Sequence, residues 1–168
     1  MNLEVENFKK LFSIIKNYPM SHIIHIDEGN RELVEALFDF VKDNELVYHL
    51  NIIDNSLLKE LEDEFKKNQY CKIRPFSFEQ GRYTKHSVLY DTAFVTVDIS
   101  KVKNLEDVLK KIYRVMKNSG DVILFAGENV EEISALLENL NYVAINSIDG
   151  FEPFIVITAK KMHGWKKV

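Results

Sequence analysis

A carboxylate that closes a short β-branched run is well placed to grip a pair of neighbouring hydroxyls. Asp54 closes such a run in NIIDNS, and Asp98, followed by Ser100, closes another in DTAFVTVDI. A third candidate is HIDEGNRELVEAL, His25 to Leu37, which reads as a strand that runs out, turns through Gly29 and enters a helix. Ligands of open α/β sheets bind outside the carboxyl ends of the strands, where the strand order reverses. A glycine in such a turn lets backbone approach the ligand closely. Here there is one glycine, and Asp27 and Arg31 bring side chains to the same turn. The segment is therefore either a ligand loop or a plain strand-to-helix turn with Gly29 at positive φ. Asp54 has a competing role as a helix N-cap, although Asn55 and Ser56 are suited to that role too.

Other chemistry is sparse. His22 and His25 are three apart, which on a strand sends them to opposite faces. His49, His86 and His163 stand without Cys or carboxylate clusters at ligand spacing, so no metal site is expected. A histidine inside a strand is either a hydrogen-bonded core residue or part of a cleft wall, the former being commoner. Cys71 lacks a His–Asn/Asp partner pattern and reads as a small core residue. The polar stretch 77–88, SFEQGRYTKHSV, has no period and reads as a loop, either a lid that binds a substrate or a solvated connection. Trp165 sits among lysines in the tail, where it would dock on the body or on a second subunit.

These residues need elements to hold them. Phe8, Leu11, Phe12 and Ile15 predict a helix over Leu3–Asn17, ended by Pro19. Strands are expected at Ser21–Asp27, Leu46–Ile53, Tyr70–Phe76, Asp91–Ile99 and Asp121–Gly127, then at Val143–Ile148 and Phe154–Lys160. Helices fall at Glu32–Lys42, along the Leu57–Phe65 stripe, along Leu105–Val115 and along Ile133–Leu140. Asn104 with Asp107, and Asn129 with Glu132, resemble capping pairs. Asn118–Gly120 is expected to break the chain before the fifth strand, and Asn141 to stop the last helix in a left-handed turn. Strands alternating with helices predict a parallel sheet covered on both faces. Only DGFEP separates the last two strands, far too little for a parallel crossover, so the seventh must run antiparallel. The expected fold is a three-layer α/β/α sandwich with a seven-stranded, mostly parallel sheet and an antiparallel last strand.

The 168 residues suffice for one domain, with an N-terminal helix to residue 19, a core over 21–160 and a tail over 161–168. No apolar run is long enough to span a bilayer, no signal peptide is read, and the lone cysteine forms no internal disulfide, which together favour a cytoplasmic protein. A net charge of −4 argues against a large nucleic-acid surface while leaving room for a local basic patch.

The arrangement resembles the class I S-adenosylmethionine-dependent methyltransferases, a Rossmann-like family with seven strands, the last antiparallel. The likeness is most specific in YDTAFVTVDIS, in LEDVLKKIYRVMKNSGDVILF and in LLENLNYVAINSIDGFEPFIVITAKK. The family's first motif, D-x-G-x-G-x-G, lays its acid on His25 and its glycines on Asp27, Gly29 and Arg31, so one of four positions matches. The ribose-binding acid of the second motif falls on Asp54. The adenine-contacting segment falls around Phe76–Glu79, and the acceptor side near Asp98 and Ser100. The resemblance thus implies S-adenosylmethionine as cofactor and His25, Asp27, Gly29, Asp54, Ser77 and Asp98 as cofactor-facing positions, with Asp27 crowding the methionine end. It implies a methyltransferase of unknown acceptor. The eroded first motif supports the alternative, an inactive binding or scaffold module, and a homodimer through a sheet edge or Trp165 fits either. NAD binding is a weaker third reading, since G-x-G-x-x-G is missing.

Overall fold

The computed structural model describes Met1–Met162; Trp165 and His163 lie outside the described residues. The elements are α1 (Phe8–Phe12), β1 (His22–Asp27), α2 (Arg31–Asp43), β2 (Val47–Ile52), α3 (Asn55–Lys66), β3 (Cys71–Pro75) and β4 (Tyr90–Asp98). They continue with α4 (Leu105–Val115), β5 (Met116–Ala126), α5 (Val130–Asn139), β6 (Tyr142–Phe151) and β7 (Phe154–Lys161). The seven strands form one sheet in the order β3-β2-β1-β4-β5-β7-β6. All neighbours are parallel except the two pairs that involve β7. The short β6–β7 turn forces that reversal.

The apolar stripes point where their periods require. Leu11 of α1, Leu33 and Leu37 of α2 and Leu57 and Leu61 of α3 pack on one face of the sheet. Leu109 and Ile112 of α4 and Ile133 and Leu137 of α5 pack on the other. Three helices thus cover one face and two the other, because residues 76–89 cross from β3 to β4 without a helix. Among the described residues no helix is long and apolar enough to cross a membrane.

Four local expectations are corrected. The first helix is much shorter than Leu3–Asn17, although Leu3 and Ile15 are buried as its stripe requires. Ser13 Oγ donates to the Lys10 carbonyl at 2.6 Å and the chain tightens into i→i+3 bonds at Ile14 and Ile15, the competition with helical bonding that serine side chains offer. Asn104 and Asn129 make no side-chain cap; both sit in the left-handed region, at φ 54° and 59°, and feed the chain into α4 and α5 from there. Asparagine tolerates that conformation better than most residues. Asn118–Gly120 lies inside β5 as a bulge, where the register against β4 shifts between Tyr90 and Thr92. Ser119 is left-handed at φ 62°, and a Cβ on Gly120 would meet the Lys117 carbonyl at 2.8 Å. Finally, β6 is longer than Val143–Ile148 at both ends. Asn141, at φ 68°, does make the left-handed exit after α5.

Candidate functional site

The strand order reverses between β1 and β4, whose connections leave the sheet in opposite directions. A cleft of about 590 Å³ opens there, within the range of about 300–1,000 Å³ usual for small-molecule sites. Glu28 after β1, Phe78 and Glu79 after β3, and Val97 and Asp98 at the end of β4 line it, together with the segment from Lys101 to Asn104 and Asp107. Four carboxylates and two lysines line it; Glu28 pairs with the N-terminal ammonium and Asp107 with Lys111, which leaves Glu79 and Asp98 as the acids of the wall that make no salt bridge to a described residue. Phe78, Val97 and Val102 give it an apolar part. A second hollow, of about 390 Å³, adjoins it through Glu28 and includes Gly29, Asn30 and Asp54.

The turn after β1 is held from behind. His25 and Asp27 are both fully buried. His25 Nδ1 lies 2.6 Å from the Tyr48 hydroxyl and Nε2 lies 2.7 Å from Thr96 Oγ1, which is 2.5 Å from Asp27 Oδ1. A carboxylate only accepts, so the Thr96 proton goes to Asp27, the closer of its two acceptors; the Ile26 carbonyl is at 3.3 Å. His25 Nε2–H then donates to Thr96, and Nδ1 accepts from Tyr48. Burial drives the imidazole down to about 4 against the opposing pull of Asp27, which keeps the ring neutral as this chain requires. Burial, with help from the Asp27 charge, raises the Tyr48 phenol well above its ordinary value, which suits a permanent donor. The other Asp27 oxygen accepts from the backbone N–H groups of Gly29 and Asn30 at 2.8 and 2.7 Å. Asn30 in turn caps α2 by accepting from Leu33 N–H.

This arrangement corrects the cofactor-facing placement of two residues. His25 is the hydrogen-bonded core histidine that is the commoner case in a strand, not part of the cleft wall. Asp27 does not crowd the cleft; its side chain turns inward and staples the loop. Arg31 is the first residue of α2 and pairs with carboxylates on the surface, those of Glu60 and Glu35.

Gly29 has φ +145°, and a Cβ there would meet Asp54 Cβ at 2.8 Å. The glycine therefore permits the ends of β1 and β2 to close on one another, a contact reinforced by Asp54 N–H donating to the Glu28 carbonyl. Asp54 is the N-cap of α3: its Oδ1 accepts from Ser56 and Leu57 N–H at 2.8 and 3.4 Å. Asn55 belongs to the helix and leaves the capping to Asp54. The side chain is exposed beside Gly29, and its Oδ2 carries no hydrogen bond to a described residue.

Asp98 Oδ1 accepts from Ser100 N–H, Ser100 Oγ and Gly127 N–H at 3.1, 2.6 and 2.9 Å. Burial works against its charge, but these bonds and the Lys101 charge prevail and hold the carboxyl below its ordinary value. Ser77 is exposed and bonded within its own turn to Gln80 and Glu79; the cleft wall after β3 is formed instead by Phe78 and Glu79. The residues missed by sequence reasoning, Glu28 and Lys101 to Asp107, all follow strand ends, and position after a strand was the available signal.

The strand order with its reversed β7 is matched as a whole fold among solved structures. The chain has the class I methyltransferase fold. It superposes on an S-adenosylmethionine-dependent methyltransferase from Mesorhizobium loti with a TM-score of 0.75 at 7% identity, over 92% of this chain and 97% of that one. It also matches the CurJ carbon methyltransferase (TM-score 0.70, 12% identity, 92% and 52% covered) and the CMeT domain of the citrinin polyketide synthase (0.73, 14%, 93% and 50%). The chain spans about half the length of those last two. No family model and no curated protein matches the sequence. In this chain a cleft opens at the switch point, acids stand at the ends of β2 and β4, and the first turn bonds to itself.

Proposed function

We propose that the chain binds S-adenosylmethionine over the carboxyl ends of β1, β2 and β4 and transfers its methyl group to an acceptor entering beside Glu79 and Asp107. The observation that carries this reading is the partly apolar cleft at the switch point of the sheet, with Glu79 and Asp98 on its wall, a lining suited to a cationic, aromatic ligand. The residues fit the cofactor in chemistry. Asp54 keeps one carboxylate oxygen for the ribose hydroxyls, Phe78 and Val97 offer apolar surface to the adenine, and the acidic wall favours the sulfonium charge. Bound there, the cofactor supplies an electrophilic methyl to a nucleophilic N, O or C atom, and the protein's part is positioning and electrostatics. Asp98 stays ionised and braces the wall by tying β4 to Gly127.

One observation favours a second reading, an inactive binding or scaffold module. The amides of Gly29 and Asn30 point at a helix N-terminus where a ligand anion is usually welcome, yet Asp27 takes both. The loop is held by its own carboxylate.

Calorimetric titration with S-adenosylmethionine and S-adenosylhomocysteine separates the two. The expected result is micromolar binding that weakens at least tenfold in Asp54→Ser, which retains a capping hydroxyl but loses the carboxylate. No heat and no thermal shift at millimolar ligand would leave the scaffold reading standing.

A further inference from the structure

The overall negative charge conceals a local excess of the opposite sign. Residues 76–89 fold against α4, and a shallow hollow lies between them. Arg82, Lys85 and His86 line it from the loop and Lys111 and Arg114 from the helix, with no acidic side chain on its wall. Lys111 is already engaged: it pairs with Asp107 at 2.7 Å, donates to the Gln80 carbonyl at 2.9 Å and lies over the Tyr83 ring. Arg82, Lys85 and Arg114 are exposed and, among the described residues, make no salt bridge. Three cations without a salt bridge to a described residue gather in one concave place.

The loop is not a loose connection. Val88 adopts φ +60°, a conformation that β-branched residues rarely take. From there Val88 and Leu89 N–H donate to the Arg114 and Val115 carbonyls at 3.1 and 2.8 Å, which clamps the loop to the end of α4. Tyr83 is buried against Phe76 and donates to the Phe78 carbonyl. The cations therefore project from a fixed frame.

The hollow itself holds about 20 Å³, little more than one water molecule needs, so a bound anion rests at its mouth among the exposed side chains of Arg82, Lys85 and Arg114. A phosphate group meets these conditions: it is compact, doubly charged, and matched by the forked donors of two arginines. A long polyanion fits poorly, because Glu79 and Asp107 lie at the border. Along α4, Asp107 of the cleft and Arg114 of the hollow are about 10 Å apart, with the Lys111–Asp107 pair between them. We propose that this hollow seats the phosphate of a small phosphorylated molecule whose other end reaches the cleft as the methyl acceptor, an assignment that rests on the methyltransferase reading above.

The test is an amide NMR titration of the full chain with inorganic phosphate and then glycerol 3-phosphate, against sodium chloride at matched ionic strength. Saturable shifts confined to residues 80–89 and 111–116 are expected, at millimolar affinity. Glycerol 3-phosphate should compete for the same amides. Arg82→Ala with Arg114→Ala, two exposed side chains outside the cleft, should weaken binding at least tenfold and leave the S-adenosylmethionine titration unchanged; Lys85→Ala should give a smaller loss. Equal shifts with chloride, shifts spread over the surface, or unchanged binding in the double variant would overturn the proposal. So would a ten-nucleotide single strand that binds far more tightly than phosphate with a salt slope of several charges. Phosphate binding without any S-adenosylmethionine heat ends the acceptor role, whereas cofactor heat without phosphate shifts ends the phosphate seat alone.

Discussion

Replacing Thr96 with valine removes one hydroxyl and almost nothing else, and the buried chain Tyr48–His25–Thr96–Asp27 makes its consequence calculable. Thr96→Val would leave His25 Nε2–H without an acceptor and Asp27 Oδ1 without its donor, at two residues that are fully buried. An orphaned buried neutral group costs about 1–3 kcal/mol and a charged one more. The sum is about 3–5 kcal/mol, a large part of the roughly 5–15 kcal/mol that holds a domain of this size together. Thr96→Ser keeps the hydroxyl and removes one methyl, at about 1 kcal/mol. Urea unfolding of the three proteins at pH 7.5 measures the difference from the midpoints at constant m. A valine variant within about 0.5 kcal/mol of the parent, well inside the range of ordinary surface changes, would refute the proton order assigned to this network and the stapling role of Asp27.

Acid should weaken the protein well above the carboxylate range. Burial lowers His25 and His49 to about 4, with Arg74 and Lys72 adding to the effect at His49. The unfolded chain then binds about two more protons than the folded one between pH 4 and the ordinary histidine value of 6.5. Stability is complete above that value and falls on acidification by up to about 2.7 kcal/mol per pH unit; a urea midpoint that does not move between pH 7.5 and pH 5 would contradict this. Gly29→Ala forces a Cβ against Asp54 at 2.8 Å and a disfavoured φ, so a loss of about 2 kcal/mol or more is expected, read as a fall in Tm. In Gly127→Ala the new Cβ would stand 2.6 Å from Asp98 Oδ2. The carboxylate must swing away and give up the Gly127 bond, and its pKa, followed by carboxyl NMR, should rise.

The sheet was legible because its decisive constraint is local. Five residues, DGFEP, cannot carry a parallel crossover, and that alone reverses β7. The acids at strand ends were legible too, since Asp54 and Asp98 follow directly from where the apolar runs stop. Their tasks were not. Whether Asp54, Asn55 or Ser56 caps α3 turns on a single residue of helix start, which periodicity does not resolve. His25 and Asp27 stand at the end of β1, where the motif would place cleft-facing groups, but both side chains turn inward. Their partners Tyr48 and Thr96 come from neighbouring strands 23 and 71 residues away from His25, so no local reading of HIDEGN reveals that both side chains turn inward. The bulge at Ser119–Gly120 was hidden for a related reason, because turn-forming residues look alike whether they end a strand or kink it.

The uncovered flank left by the helix-free 76–89 crossover also bears on how the molecule breathes. β3 has a single neighbour, five residues, and outward-facing Lys72 beside Pro75, the thin charged edge that releases at lowest cost. The chain's one thiol, Cys71, is the first residue of that strand with its side chain turned into the core, and burial raises its pKa to about 11. A thiol-reactive dye can therefore reach it only when the edge peels back, so the labelling rate serves as a built-in clock for fraying of the sheet.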